Sequence, residues 1–433
     1  MLPWRRLGRT LGKTWHKVIW RSVVAVVSGA SWLVQRLTRR RLAAIPFWIV
    51  GITCALAVAS TAFALRPAVT SARAPSAAYA AAKRISASIL NAPDRPLPHP
   101  ARDIYIIVLD AMASPEILRT RYDLDVSDVV SGLRASGLTV PLHARSHYSQ
   151  TFLSLASLLN ASYLDGLVAE VDPRVQDLSP LKYLIDRSAL MRLARRAGYR
   201  VVVLGSAYAS TESIPGIDVC RCAPLVPHQV EYAALARVPG LATVLPVNRW
   251  AHDALRRKIQ TTLADVTAVR YSPQLVFAHV SAPHPPFVVT AQGDAREPRG
   301  PFTFIGPGNA TEYVAGYRGQ ARFVLDRIVR IVEALHRRPG PAPAILVLGD
   351  HGPSPRLSDA KPDFEAQLGV FAAYALPGTT LPDHVSPLNL TRLVARQYLG
   401  VALEPVPDRY WIAETYYPYD LERVRGSFPI PVQ

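Results

Sequence analysis

The stretch Ala344-Ile345-Leu346-Val347-Leu348-Gly349-Asp350-His351-Gly352 decides how this chain is read. Its apolar start has the length and composition of a buried strand. The run then stops on a carboxylate and an imidazole side by side, with a glycine behind them to let the backbone turn sharply. Both side chains are metal-ligand types. The run Ile104-Tyr105-Ile106-Ile107-Val108-Leu109 repeats the pattern and stops on Asp110. Carboxyl ends of parallel strands are where α/β proteins assemble their sites. The two strand ends therefore predict a metal-dependent centre.

Outward from these strands, apolar runs and amphipathic stripes alternate. Strands are predicted at 103–109, 199–205, 274–280, 343–349 and 368–375, and helices at 151–160, 180–196, 248–266, 312–337 and 386–399. In the fourth helix Phe323, Val324, Ile328, Ile331, Val332 and Leu335 recur at three- and four-residue steps. Such alternation predicts an α/β domain over 101–433, a mainly parallel sheet with helices on both faces.

Two further segments carry reactive side chains. In Ser146-His147-Tyr148-Ser149-Gln150-Thr151-Phe152-Leu153 a polar loop gives way to an apolar helix. A hydroxyl at such a boundary ordinarily caps orphan N–H groups; the helix start also favours anions, so Thr151 can face a phosphate or attack one. In Phe277-Ala278-His279-Val280-Ser281-Ala282-Pro283-His284-Pro285-Pro286-Phe287 a strand runs into a proline-rigid loop that presents His284. His279 reads as a satisfied core residue inside the strand. No Walker A motif, dinucleotide-binding glycine fingerprint or G-x-S-x-G elbow is present.

The order of these motifs resembles the alkaline phosphatase superfamily in its sulfatase-like branch, which includes lipoteichoic-acid synthases and phosphoethanolamine transferases. Tyr148–Asn160, Phe277–Phe287 and Leu348–Pro353 are similar to a membrane-anchored bacterial group of that branch. The resemblance implies that Asp110, Thr151, Asp350 and His351 hold one divalent metal ion, Zn or Mn by donor type, with Mg or Ca also compatible. It implies that Thr151 is the nucleophile and that His284 contacts the transferred group or leaving oxygen; His147 is assigned with His284 to substrate binding. Sulfatases that oxidise Cys or Ser to formylglycine carry Pro and Arg after it, whereas Thr151 precedes Phe152-Leu153-Ser154-Leu155. Asp110 is followed by Ala111, where sulfatases pair aspartates. Lipoteichoic-acid synthases and phosphoethanolamine transferases have Glu at the place of Asp110. The pattern favours hydrolysis or transfer of phosphate esters of envelope lipids or glycans; a sulfuric-ester hydrolase and an inactive scaffold of the same fold are the alternatives.

The chain's net charge of +17 is concentrated at its start, where residues 1–41 hold ten Lys or Arg and no acidic residue. The 24 residues Leu42–Leu65 carry no charge, long enough for a helix across a bilayer. The basic arm thus leads into a membrane, and no nucleic-acid motif accompanies it. Leu11–Leu37, with Trp15, Trp20 and Trp32, reads as an interfacial helix; were Ser22–Gln35 a second span, the domain would lie on the cytoplasmic side. The expected layout is a basic cytoplasmic or interfacial segment 1–41, a transmembrane helix 42–66, an Ala/Pro-rich linker 67–100 and the catalytic domain 101–433. Cys220 and Cys222 are either a local disulfide or two thiols. Oligomeric state is not encoded in any motif. The positive-inside rule predicts a domain outside the cytoplasm. Alkaline-phosphatase fusions after residue 100 should therefore be active, and dark fusions paired with bright cytoplasmic reporters would refute this topology.

Overall fold

The computed structural model describes residues 76–97, 100–206, 208–212, 214–222, 246–354, 363–382, 384–414 and 416–424. All lie in one unit formed by Thr70–Tyr232 and Pro246–Gln433. The basic arm, the 42–66 span and the first part of the linker lie outside the described residues. Among the described residues no helix is long and apolar enough to cross a membrane.

Six strands form one sheet: β1 Ile104–Leu109, β2 Arg200–Leu204, β3 Val219–Arg221, β4 Gln274–Val280, β5 Ala344–Gly349 and β6 Ala372–Ala375. Their order is β3-β2-β4-β1-β5-β6. All neighbours are parallel except β6, which runs antiparallel to β5. Every residue of β1, β4 and β5 is buried. Both faces of the central sheet are therefore covered, as their unbroken Ile, Val and Leu content demands. The stripe of the Ala310–His336 helix is buried at each of its predicted positions.

Register aligns the strand ends. Leu109 pairs with Val280 on one side and with Gly349 on the other. Asp110 and Asp350 thus leave the sheet level with one another. His279 pairs with Val108, two residues before Asp110. Side chains two apart on a strand share a face, and so do laterally paired residues of parallel strands. Asp110, Asp350 and His279 therefore project from one face of three adjacent strands.

The structure corrects several boundaries. The predicted 180–196 helix is two helices, Ser179–Asp186 and Ala189–Arg196, because Ser188 accepts a hydrogen bond from Met191 N and restarts the turn. The predicted 368–375 strand contracts to β6. Within the Ala/Pro-rich stretch 67–100, Ser76–Leu90 reads as a short helix from its sequence and is one, burying Ala78, Ala81, Ala82, Ser86 and Ile89. It packs against Asp165–Val168, Ser179–Asp186 and Ala189–Arg196, so it belongs to the domain. Alanine at the contact positions permits that close approach. Cys220 and Cys222 form a disulfide. A hairpin of β7 Trp411–Glu414 and β8 Tyr417–Arg423 has no counterpart in the sequence reading.

Gly352 is required for space, not for the turn expected of it. It is absent from the positive-φ positions. A Cβ there would collide with the carbonyl oxygen of Ala366 and stand 2.8 Å from that of Gly369. Both obstacles are backbone, so neither can swing aside. Gly352→Ala should lower stability by about 2–3 kcal/mol, the cost of overpacking a rigid site. Urea unfolding checks this, and a variant as stable as the parent would show that the Phe364–Leu368 segment yields.

Candidate metal centre and active site

Each end of the central strands delivers one part of the site. Asp350 Oδ1 accepts from Ala111 N at 3.0 Å and from His351 N at 2.9 Å. These bonds fix that carboxylate and turn its other oxygen toward Asp110. Ala111 has φ 62°, a left-handed conformation that an alanine adopts only under constraint. The constraint is Tyr317 Oη, which donates to Ala111 O at 2.7 Å and accepts from Ala113 N at 3.0 Å. The Asp110-Ala111 turn is thus clamped from the Ala310–His336 helix.

His351 donates Nδ1–H to Gly352 O at 2.7 Å. Its Nε2 is then an acceptor, and it lies 3.0 Å from Thr151 Oγ1. The same Nε2 stands 3.6 Å from Asp110 Oδ1 and 3.6 Å from Asp350 Oδ2. His279 Nε2 stands 3.8 Å from Asp110 Oδ2. Its Nδ1 lies 2.9 Å from Thr211 Oγ1, whose hydroxyl also reaches Tyr208 O at 3.3 Å. With Thr211 donating to that carbonyl, the imidazole keeps its proton on Nδ1. Its Nε2 lone pair then faces the carboxylates.

This arrangement fits a metal ion on an observation independent of any motif. Asp110 Oδ1, Asp350 Oδ2 and His279 Nε2 are buried without a hydrogen-bond partner. Three acceptor atoms pointing at each other are unfavourable unless a cation lies between them. Asp110, His279 and Asp350 offer ligand atoms all within 4.8 Å of one another. The 3.6 Å separations approach the edge of about 3.4 Å for a tetrahedron with bonds near 2.1 Å. Electrostatics agree. Burial first, and then the Asp350 carboxylate, push the Asp110 carboxyl well above its usual range. Burial holds His279 down at about 4, neutral and ready to ligate.

Thr151 is the first helical residue of Thr151–Leu159; the N-cap position belongs to Gln150, which makes no side-chain cap. The ordinary capping role is therefore excluded for Thr151, whose hydroxyl turns to His351 instead. The loop before it is strapped by the C-terminal hairpin. Trp411 N donates to His147 O at 2.9 Å, Ala413 N to Ser149 Oγ at 2.9 Å, and Gln150 Nε2 to Glu414 O at 2.8 Å. The Tyr148 ring stacks on Trp411 at 5.1 Å.

Asp110, Thr151, His284 and His351 line one cavity of about 320 Å³, together with Tyr208 and Phe304. His284 N donates to Asp110 O at 3.0 Å, and Gln320 Nε2 donates to His284 O at 3.0 Å. Its ring stands 6.3 Å from that of His351. The structure thus brings together the sequence-predicted Asp110, Thr151, His284, Asp350 and His351. His147 does not line this cavity. Its Nδ1 lies 2.7 Å from Arg409 O, and its ring stacks on Tyr410, so it holds the hairpin. Sequence reasoning missed His279, taken for a satisfied core residue; its one signal was an imidazole in an otherwise apolar strand. It also missed Tyr208, which packs edge-on against His279 and lines the same cavity as Thr151. Burial, then the charges of Asp110 and Asp350, push the Tyr208 phenol well above its usual range.

No family model matches the chain, and no curated protein does. Several solved structures are similar to it. The C-terminal periplasmic domain of EptC from Escherichia coli in complex with Zn has a TM-score of 0.46 and 11% identity, covering 76% of this chain and 96% of that one. The soluble domain of lipooligosaccharide phosphoethanolamine transferase A from Neisseria meningitidis has a TM-score of 0.40 and 13% identity, covering 66% of this chain and 80% of that one. A putative sulfatase from Bacteroides thetaiotaomicron has a TM-score of 0.41 and 15% identity, covering 76% of each chain. These likenesses are distant, and the site assignments stand on the geometry above alone.

If His279 is a ligand, His279→Gln should lose bound zinc after dialysis while the fold persists, because strand β4 remains apolar and paired. Asp350→Asn should do the same, retaining an acceptor for the two backbone N–H groups. Zinc stoichiometry by elemental analysis, with circular dichroism as control, reads the outcome. A His279 variant that holds zinc as tightly as the parent would return this residue to the core.

Proposed function

We propose that this chain is a metal-dependent enzyme that hydrolyses or transfers phosphate esters, with Thr151 as its nucleophile. The observation that carries the reading is the Thr151 hydroxyl 3.0 Å from His351 Nε2, in a cavity shared with the Asp110 carboxylate. Asp110, Asp350, His351 and His279 would hold a divalent ion, which would supply positive charge to offset that of the reacting oxygens.

The residues of the chain divide the remaining work. Thr151 Oγ gives up its proton to solvent and forms a bond to phosphorus, and the bond from phosphorus to the ester oxygen breaks. His284, on the cavity wall, is assigned to give that leaving oxygen its proton. Water, or a sugar or lipid hydroxyl, then attacks the phosphothreonine and frees Thr151. Phe152, Phe304 and Ile305 make part of the wall apolar, which suits a substrate with a lipid or aromatic arm. A threonine cannot supply the aldehyde hydrate of formylglycine sulfatases, which supports phosphate over sulfate esters. The basic arm and the uncharged 42–65 stretch support an anchor in the cytoplasmic membrane, with the domain outside and envelope lipids or glycans as substrates.

Since Thr151 does not cap its helix, Thr151→Ala should leave the melting temperature near that of the parent. Turnover of bis(4-nitrophenyl) phosphate and 4-nitrophenyl phosphate by the zinc-loaded protein should fall by about 10³-fold or more. Thr151→Ser keeps an attacking oxygen and should retain partial activity. An Ala variant with near-parental turnover, or faster cleavage of 4-nitrophenyl sulfate than of either phosphate ester, would overturn the reading.

A further inference from the structure

A short segment after β2 reaches the catalytic cavity from a side that no sequence motif marks. Tyr208 lines the catalytic cavity together with Thr151, and its ring packs on Phe152, the residue that follows Thr151. Its ring is fixed by two contacts, edge-on to His279 at 5.6 Å and tilted against Phe152 at 5.1 Å. Its backbone is equally constrained. Tyr208 N donates to Ser206 Oγ at 2.9 Å, and Tyr208 O accepts from Thr211 N and Glu212 N, each at 3.0 Å.

The Val247–Ala268 helix pins that segment from behind. Lys258 Nζ and Glu212 Oε1 form a buried ion pair at 2.7 Å, and Thr262 Oγ1 donates to Gly205 O at 2.9 Å. Gly205 itself admits no side chain, since a Cβ would stand 2.9 Å from Cys222 Cα. The segment thus delivers two groups at once: Thr211 to the far nitrogen of His279, and Tyr208 to the cavity that holds Thr151. So much local order around one phenol is what a preorganised donor requires.

We propose that Tyr208 is a further catalytic residue, which donates a hydrogen bond to Thr151 Oγ whenever that oxygen carries negative charge. The inference rests on the reading of Thr151 as nucleophile. Charge develops on Oγ twice. In the first step Oγ, its proton lost to solvent, bonds to phosphorus, and the ester oxygen leaves with the electron pair of the broken bond and a proton from His284. In the second, the oxygen of water bonds to phosphorus, the bond from phosphorus to Oγ breaks, and its electron pair returns to Oγ. The proton given up by the water ends on Oγ and restores the hydroxyl. Tyr208 keeps its own proton throughout and lowers the energy of Oγ as attacking and as leaving group. Removing one such donor costs about 10²–10³-fold in kcat where the group is preorganised.

The test is Tyr208→Phe in the full chain, zinc-loaded, with bis(4-nitrophenyl) phosphate as probe. Phenylalanine keeps both ring contacts and removes only the hydroxyl. The expected result is a kcat about 10²-fold lower, with KM within about threefold, and with zinc content and melting temperature unchanged. Binding of orthovanadate, which mimics the phosphoryl group in transfer, should weaken in the same variant. Matched kcat and vanadate affinity in an active parent and its Phe variant would overturn the inference alone. So would a loss of zinc or of folding that accounts for the whole effect, since the hydroxyl would then be structural. A parent that turns over no phosphate ester would overturn the Thr151 reading and this inference with it.

Discussion

Two buried carboxylates facing one another at the ends of adjacent strands are the constraint on which this structure depends. Asp110 and Asp350 emerge level because Leu109 pairs with Gly349, and both are nearly inaccessible. Like charges so placed raise each other's energy, and burial removes the water that would screen them. Such a pair is suited to receive positive charge, and Asp110, His279 and Asp350 form a candidate metal site. The neighbouring lone pairs of His279 and His351, and the hydroxyl of Thr151, are arranged about the same point. A purely structural strand end would have been neutral or solvated.

The surrounding shell exists to hold that geometry. The left-handed Ala111 is secured by Tyr317 from one helix, and Ser146 Oγ donates to Asp350 O from the nucleophile loop. The loop is in turn strapped by β7, through hydrogen bonds to His147, Ser149 and Gln150. Behind His279, the Lys258–Glu212 pair anchors the segment that bears Thr211. Each group of the candidate site is thus oriented by a second group, which is the pattern expected where tenths of an ångström matter.

Much of this was legible in the residues themselves. Strand ends on Asp110 and Asp350 could be read because unbroken apolar runs stop abruptly on charged side chains. Thr151 and His284 could be read because each marks a change from one local pattern to another. His279 could not, because its role depends on register: only once β4 lies beside β1 with Val108 opposite His279 does the imidazole reach the carboxylate. Tyr208 was illegible for a similar reason, since it is delivered by a short irregular segment with no periodicity. The hairpin of β7 and β8 was missed because β7 has only four residues and β8, Tyr417-Pro418-Tyr419-Asp420-Leu421-Glu422-Arg423, has neither an apolar run nor a clean alternation. Gly352 was noticed for the wrong property, as the space it leaves is determined by Ala366, a residue in another element.

The alignment of three strand ends also sets an order of events. Ala111 and Asp350 are bonded across 239 residues of chain, and Thr151 and His351 across 200. Contacts of such separation form late, because a long loop must close before they give any return. No amino-terminal portion of this chain that stops before β5 contains both carboxylates. The candidate metal centre is therefore assembled only once the sheet is complete and is not a nucleus for folding. A nascent or unfolded chain offers only scattered, weak ligands, so metal selection is left to whatever compartment the finished sheet first encounters.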